Sequence, residues 1–219
     1  MNAGGHIAVV ARAGDLGDRA GASGGRLLGS ALPDFAAMGR FRLLGRTDNT
    51  EVAAGIALHH RTDDLFHRHA WFRTRNRALS RELETAGVGR GPAMACSHVG
   101  LELLLDGRLL AEPPIASANT EAIRELEAVA DELDELVAIP HRQAWRAHLD
   151  RLGAYGLPTD YDDPVAVANR LHRILARRPR LALPAEQVEL VARALGRRLE
   201  DIDRTAIELL EDLAESLAR

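Results

Sequence analysis

Lysine is absent from this chain of 219 residues, and aromatic residues are scarce. All 28 basic residues are therefore arginines, and the 32 acidic residues leave a net charge of −4 at pH 7. Proteins that hold a nucleic-acid backbone rely on an excess of positive charge, so this balance argues against a dedicated nucleic-acid-binding protein. Aromatic residues make up only 4% of the chain, which is little for sheets built on aromatic side chains.

The chain has one cysteine and no long apolar run. A single cysteine, Cys96, excludes an internal disulfide and a zinc site made of several thiolates. We expect it to be a small buried core residue rather than an activated nucleophile. The early apolar run from Ile7 to Ala11 is too short for a signal peptide, and no run approaches the length of a membrane span. These features predict a soluble, cytoplasmic protein with no membrane segment.

Apolar residues recur at helical spacing along most of the chain, and alternating β-branched runs are scarce, so the predicted fold class is all-α. Composition changes at Pro113-Pro114, which predicts a helical core over residues 1–112 and a helical extension over 113–219 that packs on the core. A single domain overall is the alternative. The predicted helices cover Leu27–Phe35, a segment capped by Asp48 or Asn49 that runs to Leu65, Phe72–Glu84, Pro92–Leu110, the acidic Glu121–Glu135, Gln143–Leu152, Val165–Ala176 and Pro184–Leu217. The glycine run Gly21–Gly29 lacks the pattern of a nucleotide-binding P-loop.

Five of the nine histidines lie between residues 59 and 98, and two polar stripes run through this region. Residues four apart share one face of a helix, about 6 Å from each other along its axis, so neighbours in a stripe can bind one divalent ion. The third member of the first stripe is better placed as a supporting group or as a ligand to a second ion. The stripes are His59, Asp63 and His67, followed by His98, Glu102 and Asp106.

Burying so many ionisable groups is costly unless they pair or bind a cation, so the two stripes together predict a shared metal site. Mixed imidazole and carboxylate ligands suit manganese, magnesium, iron or zinc. The alternative is that each stripe is only a solvated pair of side chains one helical turn apart.

Positive charge is concentrated near the first stripe. Nine arginines lie from Arg40 to Arg81, against only four acidic residues. Such a surface suits a phosphate ester or an acidic protein partner, although a solvated helix face has the same composition.

Several short segments, taken in order, resemble the acyl carrier protein phosphodiesterase family. The chain opens with Met1-Asn2 and has a nearby histidine, His6. A later segment from Gly29 ends in Leu-Pro-Asp-Phe, and this places Asp34 on the family's acidic position. The segment from Val52 to Asp63 follows the pattern Val-x-x-Gly-Ile-x-Leu-His with Asp four residues after His. The resemblance covers roughly the first half of the chain.

The resemblance implies an all-helical, metal-dependent hydrolase related to the His-Asp phosphohydrolases, usually with manganese. Its reaction removes the 4′-phosphopantetheine arm from holo-acyl carrier protein, which would be the partner and substrate. The implied catalytic residues are Asp34, His59, Asp63 and Arg61. Arg61 or a neighbouring arginine would hold phosphate oxygens. The candidate metal ligands are His6, Asp34, His59, Asp63, His67, His98, Glu102 and Asp106.

The chain departs from the family pattern at two pairs. Phe66-His67 replaces a Thr-Asp pair, and Asp106-Gly107 replaces an Asp-His pair. Two other functions therefore remain open. One is hydrolysis of a nucleotide or another small phosphorylated metabolite, and the other is a helical carrier-binding protein without catalysis.

Overall fold

The computed structural model describes residues 1–17, 22–44 and 47–219. These residues form eleven α-helices and no β-strand, which confirms the all-α prediction. Short 3₁₀ turns lie at 134–136, 139–141 and 185–187. The helices are α1 (Ala3–Gly17), α2 (Gly24–Gly39), α3 (Thr50–Arg68), α4 (Ala70–Thr85), α5 (Arg90–Leu110), α6 (Pro113–Ala128), α7 (Ala130–Leu133), α8 (Arg142–Tyr155), α9 (Pro164–Leu175), α10 (Val188–Gly196) and α11 (Leu199–Ala218).

Several predicted helix boundaries agree with the structure. Asn49 caps α3, since its side-chain oxygen accepts a hydrogen bond of 3.0 Å from the backbone N–H of Val52. Helix α5 ends at Leu110, as predicted. The bounds predicted for the acidic helix, Glu121–Glu135, were wrong, since α6 begins at Pro113 and ends at Ala128. Proline fits the first helical turn, where its missing N–H needs no partner. The predicted Pro184–Leu217 helix is instead a 3₁₀ turn followed by α10 and α11. Of the earlier predictions, Gly21 and Arg46 lie outside the described residues.

The chain forms two compact units that alternate along the sequence. The first unit contains residues 1–65, 109–158 and 210–219, and the second contains residues 66–108 and 159–209. Helices α3, α5 and α11 each contribute residues to both units. Both units draw on residues before and after the predicted boundary at 112/113, because contacts in a helical fold join segments far apart in the chain.

In the first unit, α2 packs against α1 and α6. Its buried face carries Leu27, Leu28, Leu32 and Phe35, each at most 2% exposed. Pro33 lies inside this helix and cannot donate a hydrogen bond to the backbone one turn earlier. A salt bridge of 3.1 Å between Arg26 and Glu51 joins the start of α2 to the start of α3. The first unit thus holds α1, α2 and the first turns of α3 in one core.

In the second unit, α10 packs against α9 and α4. The Arg75 guanidinium of α4 makes two hydrogen bonds, of 2.6 and 3.1 Å, to the carboxylate of Asp201, and it stacks over the Trp71 ring. The indole N–H of Trp71 donates to Thr205 at 2.7 Å. These contacts fix α4 against the first turns of α11.

Among the described residues, no helix combines the length and the apolarity that a membrane crossing requires.

Candidate metal centre

Three of the predicted ligands, one from each of three helices, meet in the first unit. His6 of α1, Asp34 of α2 and His59 of α3 each offer a donor atom, and these atoms all lie within 4.8 Å of one another. We call this group cluster A. His6 is fully buried and His59 is 8% exposed. Their ring centroids are 3.9 Å apart.

The His59 imidazole is oriented by the backbone of α2. Its Nδ1 lies 2.9 Å from the carbonyl oxygen of Ser30. A carbonyl can only accept, so Nδ1 carries the proton and Nε2 keeps its lone pair. Burial lowers the pKa of His59, while the bond to Ser30 and the charge of Asp63 act in the opposite direction. Burial prevails and favours the neutral imidazole, which is the form that binds a metal.

Two glycines allow α2 and α3 to approach closely enough for this bond. A Cβ atom on Gly29 would lie 2.3 Å from the carbonyl oxygen of Val52. A Cβ atom on Gly55 would lie 2.3 Å from the carbonyl oxygen of Arg26. Any side chain at either position would therefore force the two backbones apart.

The His6 imidazole is oriented by a threonine on α3. His6 Nδ1 lies 2.5 Å from Thr62 Oγ1, which itself donates to the carbonyl of His59 at 2.9 Å. Because the single hydroxyl proton is used in that bond, Thr62 accepts the proton of His6 Nδ1. His6 Nε2 keeps its lone pair and lies 3.9 Å from a carboxylate oxygen of Asp34 and 3.9 Å from one of Asp63.

Both imidazoles of cluster A therefore present Nε2 while their Nδ1 protons are bound elsewhere. Metal-ligating histidines have this arrangement, in which the second nitrogen donates to a carbonyl or hydroxyl that fixes the ring. With the Asp34 carboxylate, and Asp63 close to His6, the donor set suits a divalent ion such as manganese, iron or zinc. The donors present thus fit a metal.

Sequence reasoning did not find the two groups that orient these rings. Thr62 stands three residues after His59 and so lies on a neighbouring face of α3, which is a weak signal. The Ser30 carbonyl gives no signal in the sequence, because every residue has a backbone carbonyl. Ser30 becomes the partner of His59 only because α2 and α3 approach each other closely.

A second group of predicted ligands meets in the second unit. His67 of α3 and His98 and Glu102 of α5 bring one donor atom each within 4.8 Å of one another. We call this group cluster B. His98 Nε2 and His67 Nε2 lie 3.1 and 3.6 Å from the same carboxylate oxygen of Glu102. His98 and Glu102 lie one helical turn apart, and both side chains belong to one cluster, as the stripe predicted.

The other candidates are placed individually. Asp106 is fully buried in α5, and its role as a ligand stays a prediction. Arg61 is exposed on α3. Cys96 is fully buried, and burial raises the pKa of its thiol to about 12, in agreement with a core residue. That the two stripes share one pocket also stays a prediction.

Comparison of the chain with models of protein families, with curated proteins and with solved structures gave no match.

Proposed function

We propose that this protein is a metal-dependent phosphodiester hydrolase that removes the 4′-phosphopantetheine arm from holo-acyl carrier protein. The observation that carries the proposal is the arrangement of cluster A. Two buried imidazoles, each fixed through Nδ1, present Nε2 beside the Asp34 carboxylate. Imidazole nitrogens oriented in this way beside a carboxylate are donor types that a divalent cation binds.

A divalent ion at such a site, manganese by the resemblance, lowers the pKa of a coordinated water and polarises a phosphoryl oxygen. His6, His59 and Asp34 would hold it, and Asp63 would add a carboxylate beside His6. The exposed Arg61 guanidinium can donate two hydrogen bonds to phosphate oxygens and offset the negative charge that grows in the transition state.

The choice of substrate rests on the family resemblance and on charge. Acyl carrier proteins are acidic in general, and Arg73, Arg77 and Arg81 are exposed on α4. These three arginines can contact an acidic partner. Arg75 is excluded from that surface, since it already pairs with Asp201 within the protein.

The direct test incubates the full chain with holo-acyl carrier protein and Mn²⁺ and follows loss of the prosthetic arm by mass spectrometry. Asp34→Asn and Asp63→Ala should abolish arm release and reduce manganese uptake together. Asp150→Asn changes an exposed carboxylate of α8 and is the matched control, with both properties retained. Full activity in Asp63→Ala would refute the assignment.

Two other results would indicate a different function. Manganese uptake without arm release, but with phosphate release from a nucleotide or sugar phosphate, would identify a small-molecule phosphohydrolase with the same cluster. A chain that cannot be loaded with metal, yet binds holo-acyl carrier protein, would identify a carrier-binding protein without catalysis. Both outcomes contradict the proposed activity.

A further inference from the structure

We propose that cluster B, composed of His67, His98 and Glu102, is a metal site in its own right that prefers Zn²⁺. Its three donor atoms come from within the second unit. The proposal does not depend on the phosphodiesterase activity, because it concerns only what these three side chains bind.

The distances in cluster B match a small four-coordinate ion. Zinc binds imidazole nitrogen and carboxylate oxygen at about 2.0–2.2 Å, so neighbouring ligands in a tetrahedron lie about 3.3–3.5 Å apart. Glu102 Oε1 lies 3.1 Å from His98 Nε2 and 3.6 Å from His67 Nε2, which brackets that range. A set of two imidazoles and one carboxylate is the composition of several catalytic zinc sites.

The surroundings hold the two imidazoles in place. The His67 and His98 rings lie 4.8 Å apart between centroids, and each is 5.0 Å from the ring of Phe72. Phe72 is 3% exposed. It reaches this position because His69 caps α4 by accepting from the N–H of Trp71, which turns the chain between the two helices. An apolar side chain beside a metal site restricts solvent access and lowers the local dielectric constant.

An ion can reach cluster B from solvent. The His98 side chain is 41% exposed, and His67 is 29% exposed. His98 also lines a cavity of about 270 Å³ whose wall includes Arg77, Arg81 and Arg90. With three protein ligands, zinc retains a fourth position for water or an anion, and arginines in the wall favour the anion.

The competing arrangement is a hydrogen-bonded triad, in which both imidazoles donate to the Glu102 carboxylate and no ion is bound. It uses the same side chains and predicts no tight metal binding. Direct binding measurements therefore separate the two.

The experiment uses the full chain carrying Asp34→Asn, which weakens cluster A and isolates cluster B. After chelator treatment, the protein is titrated with Zn²⁺ by calorimetry and with Co²⁺ by visible absorption. We expect one equivalent of Zn²⁺ and the intense cobalt bands typical of four-coordination. Adding His98→Gln or Glu102→Gln should lower zinc affinity by more than about 100-fold, beyond the usual effect of losing an outer-shell partner.

The matched control adds His141→Gln instead, since this imidazole is exposed and belongs to neither cluster. Zinc affinity should then equal that of the Asp34→Asn chain. Circular dichroism spectra of all variants show whether each is folded. A folded Asp34→Asn chain that binds no zinc, or zinc binding that survives both His98→Gln and Glu102→Gln, would overturn the proposal. Neither the zinc titration nor the cobalt spectrum depends on hydrolysis. A negative result for cluster B is therefore distinct from a failure of the proposed phosphodiesterase activity.

Discussion

At the scale of single residues, cluster A depends on two groups that would not themselves bind a metal. The Ser30 carbonyl holds His59, and the Thr62 hydroxyl holds His6. Each accepts an Nδ1 proton and thereby sets which nitrogen faces the cluster. Thr62 also donates to the carbonyl of His59, so one hydroxyl connects both imidazoles. Thr62 is therefore a positioning residue.

Thr62→Val should weaken manganese binding while the fold is retained. Valine fills the fully buried site but offers no oxygen to His6, whose ring then loses its fixed orientation. Loss of such a partner costs about 10–100-fold in metal affinity. Thr62→Ser keeps the hydroxyl and should restore most of the affinity. Calorimetric titration with Mn²⁺ measures both variants, and unchanged affinity in Thr62→Val would contradict the assigned role.

We expect a buried histidine outside both clusters to make the free energy of unfolding depend on pH. His148 of α8 donates from Nε2 to the carbonyl of Phe35 at 2.7 Å and is 9% exposed. Burial lowers its pKa, and the bond to Phe35 only partly opposes this effect. The folded protein therefore favours the neutral ring, whereas the unfolded chain protonates at an ordinary pKa of about 6.5.

The free energy of unfolding should fall as the pH drops below about 6.5, because the unfolded chain then binds a proton that the folded chain resists. The stabilisation from His148 is fully present above the pKa of this histidine in the unfolded chain. It is lost as the pH falls toward the lower pKa of His148 in the folded protein. His148→Gln can keep a donor for Phe35 but cannot titrate. Urea unfolding of the chelator-treated protein between pH 8 and 5 should show a weaker pH dependence for the variant. If the free energy of unfolding changes with pH equally in the variant and in the original protein, His148 is not the cause of the pH dependence.

At the scale of secondary-structure elements, the position of His59 depends on how closely α2 and α3 cross. Gly29 and Gly55 each face backbone atoms of the opposite helix, and backbone atoms cannot move aside as a flexible side chain can. The crossing therefore requires glycine on both sides. The bond between His59 and Ser30 spans the same two helices, so the stability of the crossing and the shape of cluster A are linked.

Gly55→Ala should reduce both stability and manganese affinity. Overpacking a tight contact typically costs about 1–3 kcal/mol, and separation of the helices would also lengthen the bond from His59 to Ser30. Gly153→Ala in α8 is the matched control, because a Cβ atom there meets nothing within 4 Å. That change should be neutral or stabilising by up to about 1 kcal/mol. Urea unfolding and manganese titration of both variants test this expectation. Equal changes in stability and in manganese affinity for Gly55→Ala and Gly153→Ala would contradict it.

At the scale of the whole molecule, each compact unit contains one candidate cluster among the residues that the structure describes. Cluster A joins α1, α2 and α3 in the first unit, and cluster B joins the end of α3 to α5 in the second. Each cluster combines ligands from different helices, and these ligands converge only after folding. An ion that binds the native state and not the unfolded chain therefore stabilises the native state.

Adding manganese to chelator-treated protein should raise the melting temperature. At a free ion concentration 100 times the Kd, the gain is about 2.7 kcal/mol, or roughly 5–10 °C for a chain of this size. Asp34→Asn should abolish most of the manganese response. Differential scanning fluorimetry over a range of Mn²⁺ concentrations measures the effect. A melting temperature that does not depend on manganese would show that the native protein has no such site.

The sequence by itself determined the class of fold and many of the helix boundaries, because helical periodicity and capping are local. The neighbouring residues limited the cap of α3 to Asp48 or Asn49, and the structure selects Asn49. Helix α1 was not predicted, since its glycines and small residues give little amphipathic signal. The long predicted C-terminal helix was divided in the structure, because local pattern did not reveal the turn between α10 and α11.

The sequence also selected the ligand types and the pairs that lie one turn apart, such as His98 and Glu102. Only the tertiary structure decided which stripe members meet: His59 lies with His6 and Asp34, while His67 lies with His98 and Glu102. The reason is physical. Spacing within a helix fixes which side chains share a face, but the partner of that face depends on helix crossings, and close crossings depend on contacts between residues far apart in the chain, such as Gly29 with Gly55.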